Sequence, residues 1–166
     1  MNIYSIILII SFFITFLSTL IAIRLSKYNF NILTGTISLI ASERYGWVYK
    51  LGASLGTILL LIPTSQISMT LPIKVIALVC LFTTLGFINI ELKKHSTIHN
   101  ILASSSFLLS LILINLLNNS IINIIIGLLL IVLYIFQNKK HRGSGLTVLI
   151  LYIFIMTNLG IAILRS

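Results

Sequence analysis

The chain alternates apolar runs of roughly twenty residues with short polar segments, the length a helix needs to cross a hydrocarbon core about 30 Å thick. Six such spans are expected, over about residues 3–23, 50–67, 72–90, 98–117, 120–137 and 146–164. Their Leu and Ile runs are continuous, whereas a membrane β-barrel would alternate apolar and polar positions, so a barrel is excluded. The expected fold is all-α: a polytopic transmembrane helical bundle, with residues 1–166 forming one integral membrane domain.

The first run, Ile3 to Ile23, has no basic residue ahead of it and no small-residue cleavage site behind it. It is expected to be a retained helix rather than a removed signal peptide. The segment from Tyr28 to Tyr49 is too polar to cross again, but Ile32, Leu33, Ile37, Leu39 and Ile40 predict a short interfacial segment between spans one and two. Tyr45, Trp47 and Tyr49 then mark the headgroup level. Pro63 and Pro72 bracket a polar turn. The uncharged stretch from Ile98 to Gln137 would be about 60 Å long as one helix, twice the membrane. Asn115, Asn118, Asn119, Ser120 and Asn123 at its centre favour a hairpin between spans four and five instead.

Composition supports the same class: 58% of residues are hydrophobic, 8% are charged, and mean hydropathy is +1.17. The charges are not spread evenly. Arg24, Lys27, Arg44 and Lys50 follow the first span, Lys93 and Lys94 the third, and Lys139, Lys140 and Arg142 the fifth, leaving only Lys74 and Arg165 elsewhere. If positive loops stay in the cytoplasm, both termini lie outside it. A net charge of +9 does not imply nucleic acid here, because the basic residues are divided among loops that bracket apolar spans. Membrane lipids with anionic headgroups are the expected partners. Other membrane subunits are a further class, since little of the chain is left to form soluble surface. The single Cys80 rules out an intrachain disulfide and a cysteine metal cluster.

Groups capable of chemistry gather at the basic face: Glu43, Arg44, Glu91, His95 and His99 form a candidate polar site. His95 and His99, four apart at the entry to span four, would share a helix face and are weak candidates for metal ligands, with a third to come from Glu91, Glu43 or His141. The plainer alternative is that one or both imidazoles cap or hydrogen-bond at the headgroup boundary, and a third is a role in proton transfer or lipid headgroup recognition. Glu43 is expected to pair with Arg44 or Lys50. Gly52 and Gly56 in span two form a candidate helix-packing face, as do Ser106 and Ser110 in span four. Asn89, Asn115 and Asn158 are expected to bond across helices or to line a crevice. No phosphate loop, nucleophile elbow or paired-histidine protease signature is present, and no cofactor is expected. No span carries a stripe of ionisable residues of the kind that lines an ion pathway.

Two stretches, NILTGTISLIASERYGWVYKLGASLGTILLL (Asn31 to Leu61) and STIHNILASSSFLL (Ser96 to Leu109), resemble a six-span membrane family of unknown function, the one numbered 998. In that family an Ile-Ser core after the first span leads into a glycine-bearing second span, matched here by Ile37, Ser38, Gly52 and Gly56. A His followed four positions later by a small residue opens its fourth span, matched by His99 and Ala103. Members often carry Pro and Asp before the fourth span, where this chain has Asn89 and Glu91. The resemblance implies a six-span fold and a distant similarity to the Frag, DRAM and Sfk membrane proteins, which are associated with lipid remodelling and phospholipid organisation.

Three readings therefore stand: a lipid-contacting membrane protein with a polar cluster at its cytoplasmic face, a metal- or acid-base-dependent enzyme acting on a lipid headgroup, and a small structural subunit of a larger membrane complex.

Overall fold

The computed structural model describes residues 3–26, 37–67, 69–91, 93–118, 120–139 and 145–165. Within these the chain is helical, with no strand: α1 (Ile3–Leu25), α2 (Ile37–Ile40), α3 (Gly46–Leu59), α4 (Leu61–Gln66), α5 (Leu71–Asn89), α6 (Ser96–Asn118), α7 (Ile121–Lys139) and α8 (Gly145–Arg165). Ile3–Leu25, Gly46–Ser65, Leu71–Asn89 and Ser96–Asn118 are each long and apolar enough to cross a membrane. The apolar portions described within α7 and α8 are shorter, Ile121–Tyr134 and Ile150–Ala162, in helices of 19 and 21 residues. Lys27, Lys140, His141, Arg142 and the residues from 28 to 36 that were expected at the interface lie outside the described residues.

Burial is inverted relative to a water-soluble protein. Large apolar side chains such as Phe13, Leu17, Leu55, Phe82, Ile101 and Leu129 point outward, while Ser11, Ser18, Thr57, His99, Ser106, Ser110 and Asn158 are buried. Water would drive the first set inward; hydrocarbon does not, and it penalises exposed hydroxyls and amides instead. The fold is therefore a multi-pass helical membrane bundle.

The second span differs in detail from its expected limits. It begins at Gly46 and is divided at Leu60, and Pro63 lies inside α4 instead of closing the span. Pro63 has no N–H for the Leu59 carbonyl four residues earlier, so α3 ends at Leu59 and the proline falls in the first turn of α4, where a missing donor is tolerated. Pro72 likewise sits in the first turn of α5. At the hairpin the Ser120 carbonyl accepts the Asn123 and Ile124 N–H groups and starts α7, leaving Asn115 and Asn118 on α6 and Asn123 on α7.

Two pairs of helices pack most closely. α1 lies along α3, and α5 along α6. A Cβ on Gly52 would collide with the Ser18 side chain, and one on Gly56 would collide with the Thr15 hydroxyl and come within 2.9 Å of the Ser11 carbonyl. The Ser11 hydroxyl donates to the Gly56 carbonyl at 2.7 Å. At the basic end α2 closes the bundle: Ile40 and Ala41 are buried with Ala22, Tyr49, Ala53 and Ile88. At the other end Asn158 of α8 accepts from Asn118 of α6 at 2.9 Å and from Asn123 of α7 at 2.8 Å, fastening three helices. Asn89 donates to Ser54 of α3 at 3.1 Å, whereas the amide of Asn115 donates within its own helix, to Leu111.

Candidate functional site

The basic end is built by two segments that approach from different parts of the chain. One is the turn between α2 and α3, carrying Glu43, Arg44 and, on α3, Lys50; the other is the turn between α5 and α6, carrying Glu91, Lys93, Lys94 and His95. Lys93 donates to Glu43 at 2.8 Å. Lys50 donates to one oxygen of Glu91 at 3.1 Å while Lys94 lies 2.9 Å from the other. The partner of Glu43 is thus Lys93, not the expected Arg44 or Lys50, because pairing follows which turns the helix packing brings together and not proximity in sequence. Arg44 instead sets its guanidinium 5.6 Å from the Tyr45 ring centre. The hydrogen bonds from Lys94 and Lys50 hold the Glu91 carboxyl below the usual range.

His95 and His99 have different surroundings. α6 begins at Ser96, so His95 precedes the helix and is exposed, while His99 is buried at 4% exposure. Among the described residues no three His, Cys, Asp or Glu side chains come together. The His99 Nδ1–H donates to the Ile90 carbonyl at 2.7 Å, since a carbonyl can only accept. Its ring meets Phe87 edge-on, with 6.0 Å between centres.

Below this end the helices do not close on one another. A cavity of about 360 Å³ is lined by His99, Asn100, Ala103, Ser106, Phe107, Ser110 and Leu113 of α6, by Cys80, Thr84 and Phe87 of α5, by Tyr49 and Thr57 of α3, and by residues of α7 and α8 including Tyr134, Tyr152 and Leu159. The α6 lining extends from His99 to Ile114, about 22 Å along the helix. Polar atoms on its wall are largely satisfied within the protein. The Thr84 and Ser106 hydroxyls hydrogen-bond each other, Ser110 donates to the Ser106 carbonyl at 2.8 Å, and the Cys80 thiol lies 3.2 Å from the Ser110 hydroxyl. Ser106 and Ser110 therefore face α5 across a polar seam.

Asn89, Asn115 and Asn158, expected to bond across helices or line a crevice, are not among the residues lining this cavity, whose trace in the sequence lies on α6. His99, Ala103, Ser106, Ser110 and Leu113 recur at alternating intervals of four and three, one face of α6 on which small and polar residues replace the Leu and Ile of the other faces. Fold and site together define a multi-pass helical membrane protein with an internal, mostly apolar chamber beneath a basic rim. Compared with known proteins, the chain matches no family model, no curated protein and no solved structure.

Proposed function

We propose that this protein binds one single-chain lipid, holding the tail in the cavity and the polar head at the basic end. The observation that carries the reading is the cavity itself. Its volume is about 2.4 times that of an apolar cavity of ~150 Å³ that accepts one benzene ring, which gives room for about 14 carbon atoms. The space is elongated along α6, a shape suited to a chain more than to a compact solute. The basic rim at its end suits an anionic interface. In this reading the rim faces the cytoplasm and both termini lie outside, as the distribution of Lys and Arg favours.

The test is native mass spectrometry of the full chain released from a nonionic detergent. One lipid per protein is expected, and Ala103→Trp, which fills the cavity from its wall, should abolish retention. A lipid-free wild type, or equal retention by the variant, would overturn the reading.

A second reading, acid-base catalysis on the bound headgroup, is favoured by His99, whose tautomer is fixed by the Ile90 carbonyl beside the cavity. Headgroup turnover that disappears in His99→Gln while lipid retention persists would establish it. Retention without turnover in wild type would exclude it.

A further inference from the structure

We infer that the head recognised at the rim is a phosphate-class anion, bound between Lys50 and Lys94 in place of the Glu91 carboxylate that now bridges them. The inference rests on the lipid-binding reading above and goes on to name the ligand's head.

A lipid tail lies among hydrocarbon whether it occupies the cavity or the bilayer, so transfer between them supplies little selectivity. Discrimination has to come from the polar end. There, two ammonium groups from different elements converge on one anion: Lys50 on α3 reaches Oε1 of Glu91 at 3.1 Å, and Lys94 in the α5–α6 turn reaches Oε2 at 2.9 Å. Two oxygens of a single phosphate can meet the same pair of donors, because lysine binds phosphate as a point charge without a fixed fork geometry.

The position also fits. Lys50 follows Tyr49, which lines the cavity, and Glu91 follows Ile90, whose carbonyl holds the cavity residue His99. Glu91 is 28% exposed and Lys94 is 71% exposed, so the pair can be approached from water. The chain has only two acids, and Glu43 is already engaged by Lys93, so Arg24, Arg44 and the lysines leave this end positive. A phosphate monoester carries up to two negative charges against one on Glu91, and it would compete for both lysines at once.

Three probes separate the possibilities when titrated against the full chain in nonionic detergent: lysophosphatidic acid with a chain of about 14 carbons, the monoacylglycerol of the same chain, and inorganic phosphate. Lysophosphatidic acid should bind about tenfold or more tightly than the monoacylglycerol, with the margin shrinking as salt is added. Combining Lys50→Gln with Lys94→Gln should erase that margin. Glu91→Gln should tighten lysophosphatidic acid severalfold, because it removes the competing carboxylate, and leave the monoacylglycerol unchanged.

Equal binding of the two lipids by wild type would overturn the phosphate assignment while leaving the lipid reading intact. Failure of both lipids to bind would sink the lipid reading itself. Inorganic phosphate binding as tightly as the phospholipid would overturn the lipid as the source of the anion. Weaker lysophosphatidic acid binding in Glu91→Gln would overturn displacement.

Discussion

The α1–α3 and α5–α6 seams use similar residues to opposite ends. Both bury small and hydroxyl-bearing side chains: Ser11, Thr15 and Ser18 against Gly52 and Gly56 in the first, Cys80 and Thr84 against Ser106 and Ser110 in the second. In the first seam one partner is glycine, so the backbones meet and the Ser11 hydroxyl reaches the Gly56 carbonyl directly. In the second both partners carry side chains, the contact runs through hydroxyls and a thiol, and the cavity lies alongside. Small residues four apart in a bilayer helix therefore indicate a closed interface only where one side is bare enough for the other to reach its backbone. Otherwise they can line an opening.

The sharpest way to break that contrast is to add bulk to each seam. Gly56→Leu places a side chain where even a Cβ meets the Thr15 hydroxyl and the Ser11 backbone, so α1 must be displaced. It should cost about 3 kcal/mol, the upper end for overpacking, and be seen as a large fall in the thermal midpoint followed by Trp47 fluorescence. A midpoint within error of wild type would mean that α1 and α3 are not closed. The next largest effect lies at the end of the bundle far from the basic rim. Asn158→Leu removes the acceptor shared by Asn118 and Asn123, and intramembrane hydrogen bonds average ~0.6 kcal/mol each, so a loss of about 1–2 kcal/mol is expected once the stranded amides are included.

Ala103→Trp should behave differently from Gly56→Leu although it adds more volume. The new ring enters existing space beside Ser106 and Phe107, so the thermal midpoint should move by less than a third of the Gly56→Leu shift while lipid retention is lost. Comparable destabilisation by the two substitutions would make the seams equivalent and the cavity a closed contact.

The extent to which this arrangement could be foreseen follows the same division. Apolar runs define a helix whatever its neighbours are, which is why the all-helical membrane bundle, the Asn-rich hairpin and the helix-opening Pro72 could be read from the chain. The break in the second span needed one further local step, the demand that Pro63 makes on Leu59. Pairings across the basic end depended on the relative height of α3 and α5, which no single segment encodes, so Lys93 could not be singled out as the partner of Glu43. His95 and His99 were expected to share a helix face, but one helical boundary at Ser96 separates an exposed ring from a buried one. The cavity was harder still, because an absence of packing is a property of six helices together, α3 to α8.

The smallest expected effect concerns the rim. The hydrogen bonds that Glu91 accepts from Lys94 and Lys50 exist only while its carboxyl is ionised, and they lower its pKa in the folded chain below its ordinary value near 4.5. A carboxyl with a lowered folded pKa adds stability that is fully present above the ordinary value and disappears as pH falls through the lowered one. Wild type should therefore lose, as the pH falls below the ordinary carboxyl value near 4.5, a small increment of stability that Glu91→Gln lacks throughout, so the two melting curves should converge on acidification. The increment is minor because the carboxylate and its partners are in contact with water, and added salt should shrink it further. Convergence on raising the pH instead would mean that Glu91 is held in its protonated form. The two turns would then be joined by the Lys93–Glu43 pair and by packing at Ile40, Tyr49 and Ile88, and the rim would have no Glu91 anion to exchange for a phosphate.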